Sequence, residues 1–230
     1  EEQSRAAYVH PGIGVAPPVA AAAAATAPPQ PMAPASQPRA LITEGNPPLI
    51  SSQGSSKPFI AKLRSTKKLP EDALAALESG ALSDAAFAIV DSALASWSPE
   101  DCAPLVFVLR GIATGAEFAK KLDGGNAKIV SSIGRLIAAD HRTCCLLAMA
   151  AAANVFASVP GAAAMRSSKA CEFIITPSLS RLTSKDSAIR QMASALAYNF
   201  SCAEIPDPGV ADSFVPRLAD ALVASVLLIP

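Results

Sequence analysis

Two uncharged stretches of this chain, LLAMAAAANVFASVPG at 146–161 and QMASALAYNFSC at 191–202, each place one asparagine late in an alanine-rich run and close to an aromatic. Asn154 and Asn199 stand 45 positions apart, and 44 positions before Asn154 the segment PLVFVLRGIATG puts Arg110 at the equivalent point. Self-similarity at about 40–47 residues marks armadillo- and HEAT-type helical repeats, whose units bury their apolar faces only against one another. The period therefore predicts an all-α chain, an armadillo-like helical repeat superhelix.

Composition agrees. The chain is 51% hydrophobic but only 5% aromatic, because alanine dominates, and alanine is the best helix former. No stretch alternates with period two, so no sheet is expected. Nineteen basic and nineteen acidic residues leave no net charge, which argues against a nucleic-acid binder that works by neutralising many phosphates. Residues 143–165 are apolar enough to suggest a membrane span. Their alanine content, the asparagine and the Val159-Pro160-Gly161 break favour a buried helix instead.

Residues 1–56, dense in proline and alanine and without a period, read as a disordered, semi-extended linker. Residues 57–230 read as the repeat domain. Pro70 is placed at a first helical position and Gly80 at a C-terminal cap. Phe87, Val90, Leu94 and Trp97 form one stripe on a helix over 83–97. Ser98 caps a helix over 99–113, and Asp140 is assigned the cap of a helix over 141–158. Two short helices fill 160–182, interrupted at Thr176-Pro177; Ser184 opens another to Ser201, and the last runs over 210–228. The chain begins Glu1-Glu2 and ends in the uncharged run ALVASVLLIP, so it is expected to be a fragment, truncated before a further helical unit.

Little in the chain suggests catalysis. His141-x-x-Cys144 has a metal-like spacing, but a structural zinc site wants four ligands and one pair supplies two. Five cysteines lie within apolar helical runs, where thiols are unreactive, and their odd number fits reduced thiols of a cytoplasmic or nuclear protein. Gly124-Gly125-Asn126 reads as a turn, since no phosphate-loop pattern surrounds it. Neither a metal, a cofactor nor an enzymatic activity is expected.

An amide on the last helix of each unit would line the concave side of the array, where its donor and acceptor can pair with the backbone of an extended peptide. Arg110 would add a charge-assisted fork for a carboxylate. The plainer alternative is that Asn154 and Asn199 are core amides, each bonded to a neighbouring loop.

DSALASWSPEDCAPLVFVLRGI, LLAMAAAANVFASVPGAAAM and IRQMASALAYNFS resemble, in order and spacing, three successive blocks of the PUL domain, which ends the phospholipase-A-two-activating protein and its fungal homologues. The resemblance spans about residues 57–220. It implies an armadillo-like adaptor that binds the acidic, aromatic-containing C-terminal tail of the AAA ATPase valosin-containing protein in ubiquitin-dependent degradation. Arg110, Asn154 and Asn199 match the groove positions, and Arg135, Arg142 and Arg190 are further basic candidates near the same helices. Ala150 stands where many members carry a basic residue. Ubiquitin would be met only through regions outside this chain, and neither nucleic acid nor membrane is implied. Other layouts that the resemblance allows attach the domain to a desumoylating, deubiquitinating or thioredoxin-like protein. A generic armadillo scaffold for another partner is a further alternative.

Overall fold

The computed structural model describes residues 49–51, 54–123, 127–202 and 208–227. These residues belong to one compact unit, and the proline- and alanine-rich stretch 1–48 lies outside them. Among the described residues all regular structure is helical. The elements run α1 (Lys57–Thr66), α2 (Glu71–Ser79), α3 (Asp84–Ser96), α4 (Pro99–Ile112), α5 (Ala116–Asp123), α6 (Ala127–Ala138), α7 (Arg142–Val155) and α8 (Val159–Met165). Then come α9 (Ser168–Ala170), a π-helical turn (Cys171–Ile175), α10 (Thr176–Ser180), a 3-10 turn (Arg181–Thr183), α11 (Ser187–Ser201) and α12 (Pro208–Leu227).

These helices stack in register. α4 packs on α7 and α7 on α11; α3 packs on α6, and α6 on the π turn; α5 packs on α8. The described residues thus form a repeated triplet, α2–α3–α4, α5–α6–α7 and α8 to α11, in which the second and third helices of a unit rest on their counterparts in the next, as α5 rests on α8. This is the predicted armadillo-like architecture. From Ala148 to Val155 every residue of α7 is buried, because the helix is covered on all sides by α4, α6 and α11. Small side chains let the neighbours approach, which explains the alanine content. Among the described residues no single helix is long and apolar enough to cross a membrane.

Several helix starts and stops follow the expected chemistry. Ser98 Oγ accepts from Asp101 N at 3.2 Å, and Gly80 closes α2 with φ of 75°, a conformation glycine adopts without strain. Others fall a residue or two away. Pro70 is the N-cap of α2 rather than its first residue. His141, not Asp140, caps α7: its Nδ1 accepts from Cys144 N at 3.1 Å, so the His-x-x-Cys spacing is a helix start. Asp186, not Ser184, caps α11, with Oδ1 accepting from Ala188 and Ile189. The break expected at Val159-Pro160-Gly161 is present: α7 ends at Val155, and these three residues form the first turn of α8, capped by Ser158.

The expected interruption at Thr176-Pro177 is absent. The helical run passes from Ser168 to Ser180 by loosening into a π turn, with Thr176 N bonding back to Cys171 O. Proline lacks the N–H that would bond the carbonyl four residues earlier, and widening the helix accommodates it. That carbonyl belongs to Phe173, and Gly134 of α6 lies against it: a Cβ on residue 134 would sit 1.8 Å from Phe173 O. α6 and the third unit touch backbone to backbone here.

A second periodic device closes helix ends. Arg135 Nη2 donates to Leu94 O at 2.6 Å and Trp97 O at 3.2 Å, at the C-terminus of α3. Arg181 donates from Nε to Ile137 O at 3.0 Å and from Nη2 to Ala138 O and Ala139 O at 2.7 and 3.0 Å, at the C-terminus of α6. The last carbonyls of a helix have no donor within it and carry its partial negative charge, so a guanidinium from the next unit satisfies both demands.

Two outcomes follow from this packing. Gly134→Ala should lower unfolding free energy by about 2–4 kcal/mol in urea titration, since backbone, not a movable side chain, is in the way. Cys102, Cys144, Cys145 and Cys171 are buried, and desolvation pushes the Cys144 thiol up to about 12 and the Cys171 thiol to about 11. Native-state thiol labelling at pH 8 should modify Cys202, which is partly exposed, and reach the other four only after denaturation.

Candidate functional site

The last helices of the three units, α4, α7 and α11, lie side by side, and each contributes one polar residue to a shared face: Arg110, Asn154 and Asn199. Both asparagines are buried, at 1% and 0% exposure, so every hydrogen-bonding group they carry needs a partner. Each finds three. Asn199 Oδ1 accepts from Leu49 N at 2.6 Å, and its Nδ2 donates to Leu49 O at 2.9 Å and to Ala153 O at 3.3 Å. Asn154 Oδ1 accepts from Ser51 N at 2.7 Å, and its Nδ2 donates to Ser51 O at 3.1 Å and Arg110 O at 2.8 Å.

The geometry is a ladder. Successive amides grip residues 49 and 51 by N–H and C=O, skipping residue 50, as an extended chain requires when alternate residues turn their polar groups to the same edge. The third bond of each amide runs to the preceding helix, near the end of α4 for Asn154 and of α7 for Asn199. Both readings of the sequence meet here. The carboxamides are satisfied core groups, and they bind an extended main chain, which is the protein's own segment Leu49–Ser51.

Arg110 holds a different position. Its guanidinium lies over the Phe107 ring at 4.6 Å, and Phe107 stacks on Phe59 of α1 at 3.6 Å between centroids and 15° between planes. Its Nε is buried and has no hydrogen-bond partner among the described residues, and burial alone lowers its pKa, with no described carboxylate acting on it. A partly desolvated cation on an aromatic shelf with no counter-charge is suited to an anionic ligand.

Beside the ladder an open cavity of about 600 Å³ lies between the Leu49–Ser51 segment and α11, walled by Gln191, Met192, Ala195 and Tyr198. Leu49, Ile50 and Tyr198 are 49%, 48% and 37% exposed around it and give the cavity an apolar rim.

The other basic candidates are engaged within the chain. Arg135 closes α3, as described; Arg142 pairs with Asp186 and, by that hydrogen bond, holds the Asp186 carboxyl below the usual range. Arg190 Nη1 donates to Ser184 O and Lys185 O at 2.7 and 3.0 Å. The arrangement brings Arg110, Asn154 and Asn199 together and leaves these three arginines out of the ladder. Leu49, Ile50 and Tyr198 were not legible as site residues. A pair of apolar residues after Pro47-Pro48 at the end of the linker is the one signal that could have drawn attention to Leu49-Ile50.

Amide hydrogen exchange reads the ladder directly. Leu49 and Ser51 N–H should be protected and Ile50 N–H should not. Asn199→Ala should release Leu49 by at least about tenfold while slowing nothing elsewhere, because its partner carboxamide is gone.

Comparison with curated proteins and with solved structures gave no match. A comparison with family models matched one, the PUL domain, over residues 48–226, a stretch that opens at the ladder-bound segment and takes in all three rungs. That match covers well over half of the 230 residues, and the chain belongs to the PUL domain family, a family of protein-interaction rather than catalytic domains.

Proposed function

We propose that this domain is a non-enzymatic adaptor whose ladder face binds the acidic, aromatic-containing C-terminal tail of the AAA ATPase valosin-containing protein, in ubiquitin-dependent protein degradation. The observation that carries the proposal is Arg110: a guanidinium with a buried, unpartnered Nε and no acid to neutralise it, set on the Phe107–Phe59 shelf one rung from Asn154. An acidic peptide supplies the missing charge. The apolar cavity beside α11 has room for an aromatic side chain. Arg135 and Arg190, bonded to carbonyls, keep their charge and contribute through their long-range field, whereas Asp186 largely cancels that of Arg142.

Calorimetry with a synthetic tail peptide tests this. Arg110→Ala should weaken binding about tenfold, or more where the pair is well desolvated, while circular dichroism and melting remain those of the parent. Wild-type affinity should fall between 50 and 300 mM salt, since exposed charge attraction is screened. Unchanged affinity in Arg110→Ala, or no binding by the parent, contradicts the assignment.

A further inference from the structure

The ladder accounts for the main chain of Leu49 and Ser51 but leaves that of Ile50 unused. In an extended segment, consecutive residues direct their N–H and C=O to opposite edges. Asn199 and Asn154 take the edge presented by residues 49 and 51. The Ile50 N–H and C=O therefore point to the opposite edge, where they have no hydrogen-bond partner among the described residues. The cavity opens beside the same segment, walled by Met192, Ala195 and Tyr198 of α11.

We propose that the Leu49–Ser51 segment is a fixed part of the receptor and that the acidic tail adds to its free edge as a second strand. This rests on the tail binding proposed above and deepens it. The Ile50 N–H donates to a carbonyl of the tail, and the Ile50 C=O accepts from a tail N–H. An aromatic side chain of the tail enters the cavity over Met192 and Ala195, beside Tyr198. Strand addition takes affinity from the main chain and specificity from side-chain pockets, and an unpaired edge backed by an apolar cavity provides both. The ladder also sets a distance. Each rung spans two residues, so Arg110, one rung past Asn154, lies about three or four residues along from the level of Ile50. The bound peptide must therefore carry a carboxylate about three or four positions from its aromatic. This spacing is the stated chemistry of the partner, and the uncompensated charge of Arg110 is what calls for it.

The competing possibility is that Leu49–Ser51 is a plug that a partner displaces. Calorimetry on the full chain separates the two, using the tail peptide and variants of it N-methylated at one backbone position at a time. Strand addition predicts affinity losses of about tenfold or more at alternate positions and little effect between them. Ile50→Pro removes the Ile50 donor and leaves the Leu49 and Ser51 bonds intact. It should weaken binding about tenfold, with Leu49 and Ser51 amides still protected from exchange. Ala195→Trp, which fills the cavity, should cut affinity similarly. Should the parent chain fail to bind the unmodified peptide, the tail reading falls and this inference with it. If the parent binds but N-methylation shows no alternation, or Ile50→Pro binds as the parent does, strand addition alone is overturned. Tighter binding by Asn199→Ala, which frees the segment, would identify it as a plug and likewise overturn the proposal.

Discussion

A buried carboxamide with three bonds organises this domain. Asn154 and Asn199 each tie one stacked helix to the last carbonyls of the helix before it, and each holds one residue of an extended segment by both its N–H and its C=O. An unpaired amide at such a depth would cost about 1–3 kcal/mol for each lost bond, so the segment's place and the helices' register are fixed by the same groups. Chain more than a hundred residues away in sequence thereby becomes part of the face built by α4, α7 and α11.

Around that axis the units meet through few side-chain types used repeatedly. Alanines let α7 sit buried on all sides. Arginines reach from one unit to close helices of the previous one, Arg135 on α3 and Arg181 on α6. At Gly134 and Phe173 the backbones themselves touch. Those guanidiniums are committed to carbonyls and Arg142 to Asp186, whereas on the ladder face Arg110 is uncompensated among the described residues, and an apolar cavity opens by α11. These features suit a binding surface, and no cluster of His, Cys, Asp and Glu that could hold a metal occurs among the described residues.

How far the sequence discloses this depends on range. The 44–45-residue recurrence of Arg110, Asn154 and Asn199 exposed the repeat and its polar rungs, because repeated units leave a periodic trace. Local capping chemistry located the starts of α2, α3, α4, α7 and α11 to within two residues and gave no sign of α5. It missed between neighbours of similar capacity, as with Asp140 and His141 or Ser184 and Asp186, because the choice depends on how the preceding turn packs. Pro177 looked like a break, since nothing local announces that a π turn absorbs it. Least visible was the partner of the rungs. Leu49 and Ser51 lie 150 and 103 positions from their amides, at the end of a stretch that reads as linker. No periodicity marks a contact made once.

The account turns on the segment staying in place while the face is used. Titrating isotope-labelled protein with the acidic tail peptide and following backbone and side-chain amide resonances by NMR tests this most directly. Shifts are predicted at the Ile50 N–H, the Arg110 Nε–H and the α11 residues lining the cavity, with the Asn154 and Asn199 side-chain amides left where they were. Movement of both carboxamide resonances together with those of Leu49 and Ser51, as the segment lets go, would contradict it, as would a spectrum that the peptide leaves unchanged.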